Sequence, residues 1–271
     1  MREEFGPKLF PLVPGHEIAG KVIAVGNEVA KAKVGDSVGV GCLVDSCRTC
    51  KKCVTGDEQY CATGFVGTYG ANFKYAHCEE YNEEGGARTF GGYSQRIVVD
   101  QKFVLLIPSN LDLAGATPLM CAGITVYSPM MRFGLRTNMK FGVVGLGGLG
   151  HMAVKFGVAF GCHTTVISRG TSKKDDSLNG LKADAFIDSK NEEEMKAAAG
   201  TFDFIICTVS AEYDLGSYLN LLSHDGQFII VGAPPAPLAL ATFPLIFKRV
   251  SVAGSLIGGI RETQEMLDFC G

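Results

Sequence analysis

Cys47, Cys50, Cys53 and Cys61 lie in one short stretch with the spacing C-x2-C-x2-C-x7-C. No other feature limits the local fold as tightly. Four thiolates so spaced can close a tetrahedral shell around Zn2+ without recruiting a distant segment. The residues between them are turn-formers and charges: Arg48, Thr49, Lys51, Lys52, Gly56 and Asp57. Such a lobe has little apolar surface of its own to bury, so metal binding has to supply its folding energy. Four protein sulfurs leave no open position, which makes this ion structural. Disulfides need an oxidising compartment, and iron–sulfur clusters use other spacings.

The chain has 271 residues, enough for two domains and a sizeable core. Hydrophobic residues make up 46%, which fits an ordered globular protein. The net charge of −3 offers no basis for binding nucleic acid or an anionic membrane. No apolar run approaches a membrane span, and no charged segment followed by an apolar one marks a signal peptide. The remaining cysteines, Cys42, Cys78, Cys121, Cys162, Cys207 and Cys270, are scattered. That suits a reducing compartment, where buried thiols behave as small hydrophobes. A cytoplasmic location is expected. The most polar stretch, Glu79 to Arg88, reads as a surface loop.

The pattern changes near the middle. To about Met120 the chain reads as short strands punctuated by glycine: Glu17 to Val25, Ser37 to Val40, Ser94 to Val99 and Phe103 to Ile107. This predicts a small β-barrel-like domain. Beyond it, strand-like runs alternate with helical periods. The runs are Phe141 to Leu146, Thr164 to Ser168, Ala185 to Asp188, Phe202 to Thr208 and Gln227 to Gly232. Between the first two, Leu149, Met152, Ala153, Phe156 and Phe160 recur at helical spacing. Alternation of this kind means βαβ units and a parallel sheet. The switch falls in Cys121 to Met131, expected to be a hinge helix.

The first strand of the second half ends in G-x-G-x-x-G at Gly145, Gly147 and Gly150 and opens the helix, the context a dinucleotide fingerprint requires. The glycines permit the tight turn, the approach of backbone amides to a pyrophosphate, and close helix–strand packing. The helix N-terminus then faces the phosphates. NAD binding usually places a carboxylate at the end of the next strand. Here that strand ends in Ser168-Arg169, with Lys173-Lys174 shortly after. These groups suit a 2′-phosphate, so NADP is the expected cofactor.

Near the N-terminus, Pro14-Gly15-His16-Glu17 offers an imidazole, and Cys121 at the domain switch offers a thiolate. A catalytic zinc takes three protein ligands and keeps one position open; these would be two of them. At this point the chain resembles zinc-dependent medium-chain alcohol dehydrogenases, in particular the cinnamyl alcohol dehydrogenase branch. The resemblance rests on PGHE (14–17), GDSVGVGCLVDSC (35–47), the four-cysteine lobe, GGYSQ (91–95), CAGITVYSP (121–129), GVVGLGGLGH (142–151) and GGIRETQEMLDFC (258–270). It implies an α/β plus β fold, a GroES-like β-barrel-type catalytic domain followed by a Rossmann NADP-binding domain. The expected boundaries are 1–121 for the first, with the zinc lobe at 42–61, then 122–258. Residues 259–271 would begin the helix that returns to the catalytic domain.

The resemblance also implies that His16 and Cys121 bind a catalytic zinc, with Glu17 as neighbour and occasional ligand. NADP would be contacted by Thr125, Gly145, Leu146, Gly147, Gly148, Leu149, Gly150, Ser168, Arg169, Lys173, Lys174, Thr208, Gly232, Ser255, Leu256 and Ile257. The implied activity is interconversion of small-molecule alcohols and aldehydes, aromatic or broad-range. Two departures stand out. The G-x-C-H-x-D segment that carries the family's first zinc cysteine does not occur in the sequence, and the chain stops where the family continues. A truncated chain is therefore expected, either weakly active or a nucleotide- and zinc-binding remnant. The stretch Phe73 to Arg88 is longer than in plant members of the branch, which bears on substrate preference. A zinc-independent quinone reductase relative is the other alternative, opposed by the cysteine lobe. Val250 to Ile257 is apolar and nearly uncharged. It is expected to be an edge strand, at which the resemblance implies a homodimer.

Overall fold

A computed structural model describes residues 10–75 and 88–271. The polar stretch from Glu79 and most of the lengthened segment from Phe73 lie outside the described residues. The chain forms two compact units. One comprises residues 1–124 with 257–271, the other residues 125–256.

The first unit is built from short antiparallel pieces. β1 (Ile18–Lys21), β2 (Ser37–Val40) and β5 (Leu105–Leu106) form a sheet in the order β1-β2-β5, while β3 (Leu43–Asp45) pairs with β4 (Val66–Gly67). Val40, Val44 and Val66 are buried together, with Ile18, Phe73 and Val99 packed against them. The expected strand over Ser94 to Val99 does not form. It pairs with no strand among the described residues, and Val98 is 92% exposed. Ile97 and Val99 are half-buried, but without a ladder partner the extended backbone gains nothing from β-propensity. Phe103 to Ile107 is a strand only at Leu105–Leu106, because Gln101–Phe103 forms a 3-10 turn capped by Asp100, whose carboxylate accepts from the Lys102 amide at 2.8 Å.

Two glycine contacts explain why PGHE and GGY occur together. Gly15 has φ +107°, and a Cβ at Gly91 would lie 2.3 Å from the Gly15 carbonyl oxygen. The amides of Gly91, Gly92 and Tyr93 donate to the carbonyls of Val13, Gly15 and Pro14 at 2.7, 3.0 and 3.0 Å. The segment at 91–93 therefore clamps the turn that presents His16.

The C-terminal helix α8 (Ile260–Cys270) belongs to this unit. Its Gln264 side chain acts as a strand mimic. Gln264 Oε1 accepts from the Leu106 amide at 2.8 Å and Nε2 donates to the Leu106 carbonyl at 2.9 Å. That satisfies the edge of β5, whose backbone would otherwise be unpaired.

The second unit is a parallel sheet of β6 (Lys140–Val144), β7 (His163–Ser168), β8 (Ala185–Asp188), β9 (Phe202–Cys207), β10 (Leu222–Ile230) and β11 (Ser251–Gly254). Their order, β11-β10-β9-β6-β7-β8, is the doubly wound Rossmann arrangement. Phe141, Val143, Val166, Phe204, Ile205 and Phe228 are fully buried, as strands covered on both faces require. Helix α4 (Gly148–Ala159) buries Gly150, Ala153, Val154, Phe156 and Gly157. Leu149, Met152 and Phe160 are only half-buried, so the face against the sheet is offset from the one their spacing suggests. Small residues set it: a Cβ at Gly157 would lie 2.6 Å from the Phe141 ring. β11 stands at the sheet edge. No helix of the described residues is long and apolar enough to cross a membrane.

Candidate functional site

The four cysteines converge. Cys47 and Cys53 Sγ lie 3.8 Å apart and Cys50 and Cys53 Sγ 3.5 Å. All four sulfurs fall within 4.8 Å of one another. A tetrahedron with Zn–S of about 2.3 Å has edges of about 3.8 Å, so these residues fit the ion. The lobe is prepared for it. Burial pushes the Cys61 thiol up, but hydrogen bonds from Thr63, the Cys47 amide and Tyr75 outweigh that and bring it down to about 5. Burial pushes Cys53 up to about 12 in the absence of metal, so this thiol carries its proton at neutral pH and would release it on binding an ion. The turn before α1 (Lys51–Val54) holds Arg48, with φ 62°. Its guanidinium donates to Asp45 Oδ1 at 2.8 and 3.1 Å and reaches Asp100 at 3.0 Å. Arg48 thus ties the lobe to the sheet, while Lys52 pairs with Asp57 at 3.1 Å. The far side is pinned to α8: the Ile260 amide donates to Glu58 Oε2 at 3.0 Å, and Arg261 donates to the Thr55 carbonyl at 2.9 Å.

A second cluster forms around His16. Its ligand atom and the sulfurs of Cys121 and Cys42 all lie within 4.8 Å of one another. The imidazole stacks on Tyr69, with ring centroids 5.7 Å apart. A hydrogen bond with Cys121 raises the His16 pKa against the lowering by burial. Glu17 is not part of this group. Its Oε1 accepts from the Ala122 amide at 3.2 Å, at the start of α3 (Ala122–Arg132), and so braces the backbone next to Cys121. Burial raises the Glu17 pKa. Cys42, read from sequence as one of the scattered thiols, is the residue the reading missed. The available signal was its flanking: Gly39 and Gly41 precede it, at positions where a Cβ would collide with Met120, the neighbour of Cys121.

In the second unit a cleft of about 310 Å³ opens at the C-terminal ends of the strands. Gly145, Leu146, Gly147, Ser168, Arg169, Lys173 and Thr208 line it. Gly145 has φ +88°, and a Cβ at Gly150 would lie 2.2 Å from the Gly145 carbonyl oxygen. Gly147 faces open space, with nothing within 4 Å of a Cβ there. No side chain caps α4, so its first amides remain free for an anion. A pyrophosphate fits this cradle. Lys173 Nζ donates to the Leu146 carbonyl at 2.9 Å and closes the loop. Asp188 accepts from the Gly170 amide at 2.7 Å, which fixes the turn carrying Arg169. Thr125, Gly148, Leu149, Gly150, Lys174, Gly232, Ser255, Leu256 and Ile257 are not on the lining. Ser189, Val209, Glu212, Tyr213 and Tyr218 are, and were missed. They follow the ends of β8 and β9, where ligands of a doubly wound sheet bind.

Residues 2–109 match the family model of the alcohol dehydrogenase GroES-like domain, and residues 148–271 that of the zinc-binding dehydrogenase. A probable mannitol dehydrogenase of Fragaria ananassa is 51% identical over 270 residues, 99% of this chain and 72% of that protein. An NADP-dependent alcohol dehydrogenase of Mycolicibacterium smegmatis is 50% identical over 271 residues, 100% of this chain and 74% of that one. The structure of a cinnamyl alcohol dehydrogenase from Sorghum bicolor superposes with a TM-score of 0.91 at 49% identity, covering 99% of this chain and 74% of that one. The chain belongs to the zinc-binding medium-chain alcohol dehydrogenase family, on its cinnamyl alcohol dehydrogenase-like branch.

Proposed function

We propose that this chain interconverts alcohols and aldehydes with NADP(H), on aromatic or broad-range substrates of the cinnamyl alcohol type. The observation that carries the reading is the meeting of His16 and Cys121 at one point, in a chain that also has an open glycine-loop cleft. Bound Zn2+ supplies Lewis acidity toward the substrate oxygen, and bound NADP(H) supplies the hydride. The chain's own residues do the rest. His16 and Cys121 hold the ion, and Tyr69 and the Gly91–Tyr93 clamp keep the imidazole in place. Glu17 steadies the backbone beside Cys121. The α4 amides would take the pyrophosphate, and Ser168, Arg169 and Lys173 would receive a 2′-phosphate, with no carboxylate at the end of β7 to repel it. Cys47, Cys50, Cys53 and Cys61 hold the structural zinc.

The relatives' names support NADP and an alcohol substrate. We place the protein in the cytoplasm as a homodimer paired along β11. The edge position and low charge of that strand support the pairing. Sedimentation that finds only monomer at micromolar concentration would count against it. The activity is tested by NADPH oxidation with cinnamaldehyde and benzaldehyde. His16→Ala is expected to abolish turnover while leaving NADPH binding intact. Equal turnover by parent and variant would remove the catalytic role of His16.

A further inference from the structure

We propose that His151 is a positioning residue for NADP(H): as an imidazolium paired with Asp176, it locks the pyrophosphate loop to the segment that carries Lys173. The inference rests on the reading of the glycine-loop cleft as the NADP(H) site. It adds the group that fixes one phosphate subsite against the other. His151 stands in the first turn of α4, just past the glycine loop. Its Nδ1 lies 2.7 Å from the Gly147 carbonyl oxygen, and its Nε2 lies 3.2 Å from Asp176 Oδ2. A carbonyl oxygen and a carboxylate only accept hydrogen bonds. Both ring nitrogens must therefore donate, which requires the doubly protonated, cationic ring. A neutral imidazole keeps one bond and turns a lone pair toward the other acceptor.

The link sits where the sheet stops holding the two subsites together. β6 and β7 pair as far as Val144 with Ile167, and the Gly145 amide donates to the Ile167 carbonyl at 2.9 Å. Beyond that point side chains make the connection. Lys173 Nζ donates to the Leu146 carbonyl at 2.9 Å, and His151 reaches Asp176. Lys173 is itself a candidate ligand for the 2′-phosphate, so its hold on the loop competes with the cofactor. The His151–Asp176 pair has no such second duty. It acts on Lys173 through a stiff turn. Ser177, fully buried, donates to the Lys173 carbonyl from its amide at 3.0 Å and from its hydroxyl at 2.6 Å. Asp176, the residue before Ser177, is thus held in step with Lys173. On the two elements that meet here, the remaining charged groups are Lys155 of α4 and Arg169, Lys173, Lys174 and Asp175 of the segment up to Gly180. Asp175 accepts from Asn179 Nδ2 at 2.6 Å, so Asp176 is the acid of that segment that meets the ring.

The test measures NADPH dissociation constants of the 271-residue chain by fluorescence titration, across the range in which a histidine changes charge, about pH 5 to 8. Two variants are compared with the parent. Asp176→Asn offers an amide that can donate to an unprotonated Nε2, so the bridge survives with a neutral ring. His151→Phe keeps a ring of similar size and removes both donors. Titration of the cofactor's own phosphate is common to all three proteins and cancels in their ratios. The paired side chains are 38% and 56% exposed. Between about pH 6 and about pH 8 the parent is therefore expected to lose about two- to fivefold in NADPH affinity relative to Asp176→Asn, the worth of one exposed ion pair. Relative to His151→Phe, the parent should bind more tightly at the acid end and converge with it at the basic end. If the phenylalanine variant misfolds, the comparison with Asp176→Asn carries the test alone. A parent-to-Asp176→Asn ratio that stays flat across this range overturns the proposal and leaves the cofactor site standing. Absence of NADPH binding by the parent would instead remove the cofactor reading, and the proposal with it.

Discussion

Replacing Arg48 by Met tests how the zinc lobe is anchored. Asp45 is 1% exposed, and its Oδ1 takes two nitrogens of the guanidinium at 2.8 and 3.1 Å. A charge-assisted hydrogen bond of this kind contributes about 1.5–3 kcal/mol. The contact to Asp100 at 3.0 Å involves a carboxylate that is 38% exposed, so solvent screening leaves it at most about 1 kcal/mol. Arg48 also lies over the Phe103 ring at 5.6 Å, which adds about 0.5–1 kcal/mol. Arg48→Met keeps the apolar stem but leaves Asp45 buried without the guanidinium, though its Ser46 amide bond at 2.8 Å remains. The expected loss is about 3 kcal/mol of lobe anchoring. Arg48→Lys should lose roughly half of that, because one ammonium cannot reach both carboxylates as the fork does. The assay follows zinc release to a chromogenic chelator together with urea unfolding monitored by near-UV circular dichroism. Zinc release from Arg48→Met should be about a hundredfold more favourable, since each 1.4 kcal/mol is tenfold. Release and unfolding unchanged from the parent would show that the Asp45 pair is not what holds the lobe.

Three further outcomes follow from the geometry. Ser168→Asp places a carboxylate beside the expected 2′-phosphate and should cut NADP preference by about ten- to several-hundred-fold, the worth of one or two charge-assisted contacts; an unchanged ratio of NADPH to NADH dissociation constants by fluorescence titration would contradict this. Gly150→Ala forces a Cβ to within 2.2 Å of the Gly145 carbonyl oxygen, so it should cost about 1–3 kcal/mol and weaken NADPH at least tenfold, and parent-like affinity would sink the cradle argument. Zinc binding to the lobe at pH 7 should release at least one proton, because Cys53 is pushed up to about 12, but fewer than four, because Cys61 is brought down to about 5 and enters as thiolate. Zinc retention should weaken as pH falls, because protons compete for Cys53, and more steeply below about 5, where Cys61 must also lose a proton to bind. Calorimetry in buffers of different ionisation enthalpy measures the release, and either zero or four protons would refute the assignment.

The features legible from sequence are those in which neighbouring residues carry the whole signal. The cysteine spacing and the glycine loop are local, so Cys47 to Cys61 and Gly145 to Gly150 could be read without the rest of the chain. The β6 to β10 runs were legible because a strand buried on both faces shows up as a continuous apolar run. Ser94 to Val99 misled because alternation alone does not supply a ladder partner. Cys42 was hidden because its partners are His16 and Cys121, far away in sequence, and the clue lay in glycines whose need for space is visible only against Met120. The same holds for Arg48, whose role as an anchor depends on Asp45 and Asp100. Ser189, Glu212, Tyr213 and Tyr218 reach the cleft because sheet order brings the ends of β8 and β9 beside β7 and β6, which no single motif encodes.

The central claim is that a second metal site, built on His16 and Cys121, carries the alcohol–aldehyde chemistry. Its most direct test is a zinc titration of the metal-stripped 271-residue chain, with bound metal and NADPH-dependent reduction of cinnamaldehyde followed together. The first equivalent should fill the four-cysteine lobe without turnover. Turnover should then rise with the second equivalent and level off when it is complete. Full turnover at one equivalent, or none at two with NADPH bound, would contradict the account.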